Sequence, residues 1–397
     1  MLSIKPKRLG LYFHIPFCLS KCAYCDFFSF VPSNEDLISR YIGAVIKHME
    51  EYSRSAAEHT VDSVFIGGGT PTCGPTEELI KLIRAAKKNF NIAKGAEFTI
   101  EANPATVDVK SLKRLRRAGV NRISIGLQSG DEGELKALSR IHTRRQFEDS
   151  FRAARMAGFD NINVDLMFGI PGQTMQSLMR NLRYLVRMNP EHISLYNLKI
   201  EPGTPFDVHR AELNLPSEDE EADMYLAAVE FLNVQGYPQY EISNFARHGF
   251  HCRHNLKYWT GGEYLGFGPS AHAYFANNRF SFVRNLDLYL NAIEIPASRI
   301  KLTAQCDEIS PRERLGEYIM LHMRLCSGVC LSEFAREFGQ DFDFLYGRKM
   351  QRYIDAGYAV RRRDSVALTP SGMFVSNYIL SDILEFEDLG GEIFSGC

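Results

Sequence analysis

The chain has 397 residues, of which 45% are hydrophobic and 24% are charged, and its formal net charge at pH 7 is −2. This composition is ordinary for a globular protein with a full core, and the small net charge provides no general attraction to nucleic acid or anionic membranes. No apolar run approaches the roughly 18 residues of a membrane-spanning helix, and the basic N-terminal residues lack the apolar segment of a secretion signal. We therefore expect a cytoplasmic protein of two or three domains.

Six strand-like runs alternate with amphipathic helical stretches in the first half of the chain. The predicted strands are Gly10–Ile15, Val61–Ile66, Glu97–Glu101, Arg122–Leu127, Asn161–Phe168 and His192–Ile200. The predicted helices are Asp36–Glu58, Thr76–Phe90, Val109–Ala118, Arg144–Ala157 and Met175–Met188. Repeated strand–helix units predict parallel strands with right-handed crossovers. The fold class is therefore α/β, a partial (β/α)6 barrel.

Three cysteines follow the first predicted strand. Cys18, Cys22 and Cys25 have the spacing C-x3-C-x2-C. Three thiolates on one loop can bind three irons of a [4Fe–4S] cluster, which leaves the fourth iron open to a substrate or cofactor. A zinc ion with a remote fourth ligand, or buried cysteines without a metal, are the alternatives. The other cysteines show no second metal spacing, and nine cysteines fit a reducing compartment better than a disulfide framework.

Polar and glycine-rich residues follow the other predicted strands. Gly67–Pro71 follows the second strand, Glu101 and Gln128 end the third and fourth, and Asp165 lies in the fifth. In barrels of this kind the chemistry lies at the carboxyl ends of the strands. A carboxylate in an apolar strand is costly unless it meets a partner, so we expect Asp165 to face the ligand end. Arg140 can pair with a carboxylate.

The pattern changes after residue 204. Residues 217–234 predict a long helix capped by Ser217, and residues 237 to about 300 are rich in Gly, Asn, His and aromatics and predict loops over a site. From Ser310 onward three short helices and a hairpin predict a mostly helical, winged-helix-like domain. We divide the chain into a barrel over 1–236, a His- and aromatic-rich segment over 237–305 and a C-terminal domain over 306–397.

The cysteine loop resembles that of the radical S-adenosylmethionine (SAM) superfamily, in which SAM chelates the open iron. Tyr12–Cys18, Gly67–Pro71, Gly126–Gln128 and Asp165–Gly169 resemble segments of the oxygen-independent coproporphyrinogen III oxidase family. This resemblance implies that Tyr12, Gly68 and Glu101 contact the cluster-bound SAM. It also implies a second SAM in contact with Gly69, Thr70, Gln128, Arg140 and Asp165.

Two departures from the oxidases indicate a different branch of that family. The oxidases carry a further cysteine where this chain has Phe27, which we include among the predicted cofactor-binding residues. The segment Cys252–Trp259, absent from the oxidases, resembles the His-Asn-x-x-Tyr-Trp signature of the HemW-type haem chaperones. There His254 can ligate haem iron, and Tyr258 and Trp259 can stack on the macrocycle. The alternative is that His254 makes loop hydrogen bonds while the aromatics pack in a core.

The resemblance implies a haem chaperone that binds a [4Fe–4S] cluster, SAM and haem. Its expected partners are a reductant for the cluster and a haem-acceptor protein, such as a respiratory cytochrome or a membrane-associated protein. The alternative is an enzyme that decarboxylates coproporphyrinogen III with a 5′-deoxyadenosyl radical. DNA binding through Arg361–Arg363 in the C-terminal hairpin is a third hypothesis. We do not expect it, because this triplet lies in a turn and has no wider basic face.

Overall fold

A large twisted sheet dominates the computed structural model, which describes residues 7–295 and 301–384. Residues 1–6 of the N-terminal segment, the C-terminal end of the last predicted domain and Cys397 lie outside these ranges. Twelve strands form the sheet in the order β12-β11-β10-β9-β1-β2-β3-β4-β5-β6-β8-β7. No helix in the described ranges is both long and apolar enough to cross a membrane.

Strands β1 to β6 are parallel neighbours and alternate with helices, so the predicted α/β barrel is confirmed. The strands are β1 Lys7–Ile15, β2 His59–Gly68, β3 Ile92–Ala102, β4 Arg122–Gln128, β5 Ile162–Phe168 and β6 His192–Asn197. The helices are α1 Glu35–Ser53, α2 Thr76–Asn89, α3 Val109–Ala118, α4 Glu132–Ala137, α5 Arg144–Met156 and α6 Met175–Met188. Helix α4, one short turn after β4, was not predicted because its six residues are too few to show a period.

The two faces of the parallel strands differ in polarity. Along β1, Leu9, Leu11 and Phe13 are fully buried with the apolar helix faces. Successive side chains of a strand point to opposite sides. On the inner side of β3 this alternation places Glu97 and Glu101, both beneath the mouth of the barrel. Polar groups are therefore concentrated inside the barrel, where they need partners or ligands.

The segment after β6 is regular, which corrects the prediction of loops over residues 237 to 300. It contains α7 Pro205–Val208, α8 Glu218–Val234, β7 Gln239–Glu241, β8 Asn244–Ala246, α9 Arg253–Trp259, β9 Tyr264–Phe267, β10 His272–Phe275, β11 Asn278–Phe282, α10 Leu286–Glu294 and β12 Thr303–Glu308. Ser217 caps α8 as predicted. The strands have three to six residues, and the Gly and Asn residues between them dominate the local sequence signal. Strand β9 pairs in parallel with β1 and extends the barrel wall.

The C-terminal region consists of helices around a three-stranded antiparallel sheet, in the order β13-β15-β14. Its elements are α11 Pro311–His322, β13 Val329–Cys330, α12 Leu331–Phe338, α13 Arg348–Asp355, β14 Ala359–Arg362, β15 Ser365–Leu368, α14 Pro370–Phe374 and α15 Ser376–Leu384. In the hairpin, Arg361 pairs with Asp343, and Nη1 of Arg362 donates to the carbonyl of Cys326 at 3.0 Å. Two arginines of the basic triplet are therefore bound within the chain.

Candidate functional site

The loop that carries the three cysteines is pinned at its base. The Cys18 amide donates to the carbonyl of Phe30 at 3.0 Å, and the Phe30 amide donates to the carbonyl of Pro16 at 2.9 Å. At the other end of the triplet, the Cys25 amide donates to the carbonyl of Cys22 at 3.2 Å. These backbone bonds fix the loop directly after β1, at the carboxyl end of the parallel sheet.

The three thiols line one cavity of about 130 Å³. Across the described ranges, no three His, Cys, Asp or Glu side chains converge as ligands of a single metal ion would. The thiols instead surround a space, and the Gly-rich turn after β2 closes against it. A Cβ atom on Gly69 would lie 2.9 Å from Sγ of Cys18 and 2.6 Å from the carbonyl oxygen of Phe17. Only glycine therefore fits this turn, which packs directly against the thiol of Cys18.

The predicted SAM residues gather around the same loop. Gly68, Gly69, Glu101, Gln128, Arg140 and Asp165 line the cavity together with the three cysteines. Thr70 is buried behind it, with Oγ1 3.7 Å from Sγ of Cys18, and Tyr12 lines the adjoining cavity. Gln128 has a φ of 65°, a sparsely populated conformation that tends to occur at functional sites. Residues from five strand ends thus meet at one place.

Glu101 occupies the centre of this group. The Gly68 amide donates to its Oε2 at 3.0 Å. Burial and the nearby Asp165 carboxylate raise the pKa of Glu101 to about 8. This shift favours the protonated carboxyl, and a cationic group beside it would favour the ionised form.

Among the described residues, Arg140 makes hydrogen bonds to neutral groups and a cysteine rather than an ion pair with a carboxylate. One Nη atom donates to Oδ1 of Asn103 at 2.6 Å and to the carbonyl of Gly126 at 3.0 Å, and the other lies 3.4 Å from Sγ of Cys22. Its buried Nε has no hydrogen-bond partner. The side chain thus lies beside the cysteine loop with one buried nitrogen unpaired among the described residues.

The Asp165 carboxylate has the hydrogen-bond partners that a buried polar group in an apolar strand requires. Its carboxylate accepts from Oγ of Ser124 at 3.2 Å and from Nδ2 of Asn163 at 2.8 Å. Burial raises the pKa of Asp165, while these hydrogen bonds oppose that shift. Oδ1 of Asn163 in turn lies 2.6 Å from Nδ1 of His192. The carboxylate is held rigidly at the wall of the cavity.

Helix α9 places the His-Asn-x-x-Tyr-Trp motif inside the barrel wall. His254 is only 1% exposed, and burial, followed by the charges of Lys257 and Arg122, lowers its pKa to about 3. Its Nδ1 lies 3.0 Å from Oγ of Ser63, and its Nε2 lies 2.9 Å from the hydroxyl of Tyr258. Both ring nitrogens are therefore engaged within the protein.

The two aromatic residues of the motif face different neighbours. The ring of Tyr258 stacks edge-on against Tyr264 at 4.6 Å between centroids. The guanidinium of Arg324, from the C-terminal region, lies 5.6 Å from the centre of the Trp259 ring. Tyr258 lines the cavity beside Tyr12, whereas Trp259 joins the barrel to the C-terminal region.

Glu97 holds α9 in place, and the sequence analysis did not identify it. Its carboxylate accepts from the backbone amides of Arg253 at 2.9 Å and His254 at 3.0 Å, and from Sγ of Cys252 at 3.5 Å. Glu97 and Arg122 are both almost fully buried. Each is a charged residue within a predicted strand, which is the signal that identified Asp165, so a signal for both was present in the sequence.

Three cavities meet at Phe27. This side chain is 66% exposed and lines the cysteine cavity, a second cavity of about 440 Å³ and a third of about 300 Å³. Glu101 also lines all three. The three cavities therefore lie next to one another around Phe27 and Glu101.

Comparison with known proteins agrees with this architecture. Residues 12–185 match the radical SAM superfamily model, and residues 309–375 match the HemN C-terminal domain. The heme chaperone HemW of Bacillus subtilis (strain 168) is 34% identical over 379 residues, which cover 94% of this chain and 98% of that protein. The heme chaperone HemW of Escherichia coli (strain K12) is 33% identical over 380 residues, or 95% and 98% of the two chains. The chain belongs to the HemW-type haem chaperone family.

A solved structure shows the same fold over nearly the whole length. Coproporphyrinogen III oxidase (HemN) from Escherichia coli, a radical SAM enzyme, covers 96% of this chain and 92% of its own with a TM-score of 0.82, at 21% identity. At this identity the match shows the fold alone. Membership of the radical SAM superfamily itself implies a [4Fe–4S] cluster and SAM.

Proposed function

We propose that this protein is a haem chaperone that binds a [4Fe–4S] cluster, SAM and haem and passes haem to an acceptor protein. The observation that carries the proposal is the three-thiol loop, whose cavity opens onto larger ones at Phe27. The acceptor would be a protein such as a respiratory cytochrome or a membrane-associated haem protein, and a separate reductant would serve the cluster. Nucleic acid is not expected as a partner.

Cys18, Cys22 and Cys25 would hold the cluster, and the open iron would provide the chelation site for SAM. Burial raises the pKa of the Cys18 and Cys25 thiols, and metal binding would deprotonate them. A further cysteine ligand is not needed. Cys73 does not line the cavity, and burial raises the pKa of its thiol to about 12.

The surrounding residues divide between the two proposed SAM positions. Tyr12, Gly68 and Glu101 would contact the cluster-bound molecule, with the Glu101 carboxyl next to its ammonium group or ribose. Gly69, Thr70, Gln128, Arg140 and Asp165 would contact a second molecule. The unpartnered Nε of Arg140 supports this assignment, because a carboxylate would complete its hydrogen bonds.

The proposed haem residues of the family motif are His254, Tyr258 and Trp259. Ligation of iron by His254 would require Ser63 or Tyr258 to give up its bond to the ring. Tyr258 already faces the 440 Å³ cavity and can contact a macrocycle there without rearrangement. Haem is therefore proposed to enter from this cavity.

Haemin titration of the reconstituted protein under anaerobic conditions tests the function. We expect a saturable Soret shift at about one haem per chain, since the 440 Å³ cavity that Tyr258 of the motif lines is of suitable size for one ligand. Absence of saturable binding would refute the proposal. Adding an apo haem protein to the complex should then remove the haem.

The second candidate is oxidative decarboxylation of coproporphyrinogen III. It is favoured by six of the eight predicted SAM residues, which line the cysteine cavity. Against it stands Phe27, at the position where the oxidases carry cysteine. Anaerobic incubation with coproporphyrinogen and SAM decides between them, because protoporphyrinogen formation would establish the enzyme.

A further inference from the structure

The 440 Å³ cavity lies between the cysteine loop and the strands that extend the barrel beyond β1. Its size is in the range of about 300–1,000 Å³ that is usual for small-molecule sites. Phe27 and Phe28 line it from the loop, Tyr258 from α9, and Tyr264 and His272 from β9 and β10. These aromatic walls suit a flat, largely apolar ligand.

Strand pairing places Tyr12 of β1 and His272 of β10 on either side of Gly266, which lies on β9. Tyr12 pairs with Gly266, and the pairing of Tyr274 with Tyr264 sets Gly266 against His272 in the antiparallel pair. A Cβ atom on Gly266 would collide with the carbonyl oxygen of His272. Glycine therefore allows the two strands to approach, and no side chain separates Tyr12 from His272 in this row.

Three histidines surround this part of the barrel, and they differ in the state of their rings. The His14 ring contacts the Tyr12 hydroxyl at 3.1 Å and the Phe28 carbonyl at 2.8 Å. The His254 ring contacts Ser63 and Tyr258. His272 is exposed to the cavity, and neither of its ring nitrogens has a hydrogen-bond partner among the described residues. An unengaged neutral imidazole is the usual protein ligand of haem iron.

A cation faces the same cavity. Nη2 of Arg284 donates to the Asp26 carbonyl at 2.6 Å and lies 3.1 Å from its Oδ1. Both side chains are about half exposed, so this pair contributes little and the guanidinium can also pair with an incoming carboxylate. Asp26 directly follows Cys25, so the bond to Asp26 also links Arg284 to the cysteine loop.

We infer that His272 is the protein ligand of haem iron in this cavity and that Arg284 pairs with a haem propionate. The assignment rests on the proposed haem-binding function and names the residues that carry it out. The macrocycle would lie between the Tyr258 and Tyr264 rings and the Phe27–Phe28 loop. His254 would then support the cavity wall rather than bind the iron.

Haemin titration of the full-length reconstituted protein tests the assignment, with visible spectra recorded for each variant. We expect His272→Ala to move the Soret maximum and to weaken binding about tenfold or more, equivalent to about 1.4 kcal/mol. Added imidazole should restore the wild-type band position, which a merely structural effect would not do. His209→Ala, which removes an exposed histidine outside the cavity, is the matched control and should leave both readouts unchanged.

The propionate contact has its own readout. Wild-type protein should prefer haemin to its dimethyl ester, and Arg284→Gln should reduce that preference without moving the Soret maximum. A wild-type spectrum and affinity in His272→Ala would overturn the iron assignment. Loss of the band in His254→Gln alone, with His272→Ala unaffected, would do the same in favour of the motif histidine. If the wild-type protein itself bound no haem, the proposed function would fail together with the assignment.

Discussion

The cysteine loop and helix α9 both carry conspicuous sequence motifs, yet their side chains are in opposite states. The loop thiols surround a cavity, and nearby Arg140 keeps a buried nitrogen without a partner. In α9, by contrast, Glu97 caps the helix and both nitrogens of His254 are engaged. One polar group beside the loop thus remains unpaired, whereas those of His254 in α9 are paired within the chain. Helix α9 thus forms part of the barrel wall, whereas the cysteine loop lines a cavity.

The largest effect should come from the loop thiols. Replacing Cys18, Cys22 or Cys25 with Ser should abolish stable [4Fe–4S] assembly, because serine oxygen is a poor substitute for thiolate sulfur. Iron and sulfide content and the broad visible absorption of the cluster measure this loss. Cys73→Ser and Cys252→Ser are the controls and should keep the cluster. A full cluster in any of the first three variants would contradict the assignment of the loop.

Among the contacts that hold α9 in the barrel wall, those of Glu97 should contribute most to the free energy of unfolding. Glu97→Ala leaves the amides of Arg253 and His254 without an acceptor beside the buried Arg122, so we expect about 3–5 kcal/mol of lost stability. Chemical denaturation measures the free energy of unfolding. Glu294→Ala removes a partly exposed partner of Arg40 and should cost about 0–1 kcal/mol. Equal losses in the two variants would show that α9 is not held by this carboxylate.

Acidification should reveal the buried, neutral state of the His254 ring through a loss of folding stability. Its pKa in the folded chain is about 3, against an ordinary value of 6.5. The unfolded chain therefore binds the proton first, and the stabilising contribution present above pH 6.5 is lost as the pH falls toward 3. His254→Gln should be less stable at pH 7 by about 1–3 kcal/mol and should lose less further stability on acidification. Unfolding free energies at pH 7 and pH 5 test this, and an unchanged acid slope would contradict it.

Phe27 should show the smallest effect on stability. Its side chain is 66% exposed at the junction of the cavities, so Phe27→Ala should change the free energy of unfolding by no more than about 0.5 kcal/mol. Ligand affinity should nevertheless fall, because the ring lines all three cavities. Thermal unfolding and haemin titration of one preparation separate these effects. A large loss of stability would place Phe27 with the wall rather than with the ligand side.

The barrel and the cysteine site could be predicted because their signals are local. Buried strands that end at Ala102 and Gln128 indicate the parallel sheet, and the cysteine spacing indicates the loop. The short strands β9 and β10 could not be predicted, since they are stable only through pairing with β1 and with each other. His272 lies on one of these short strands and Arg284 follows a further short strand, so no local motif marked either residue. The engagement of His254 depends on Ser63, almost 200 residues away in the chain, which no local pattern records.

The most direct test of the account measures non-haem iron, sulfide and haem in one anaerobically reconstituted sample, before and after addition of apomyoglobin. The account predicts about four non-haem irons and one haem per chain. The haem should move to apomyoglobin, and the cluster iron should remain with the protein. Haem that binds only in place of the cluster, or that cannot be transferred, would contradict a chaperone built on separate cluster and haem sites.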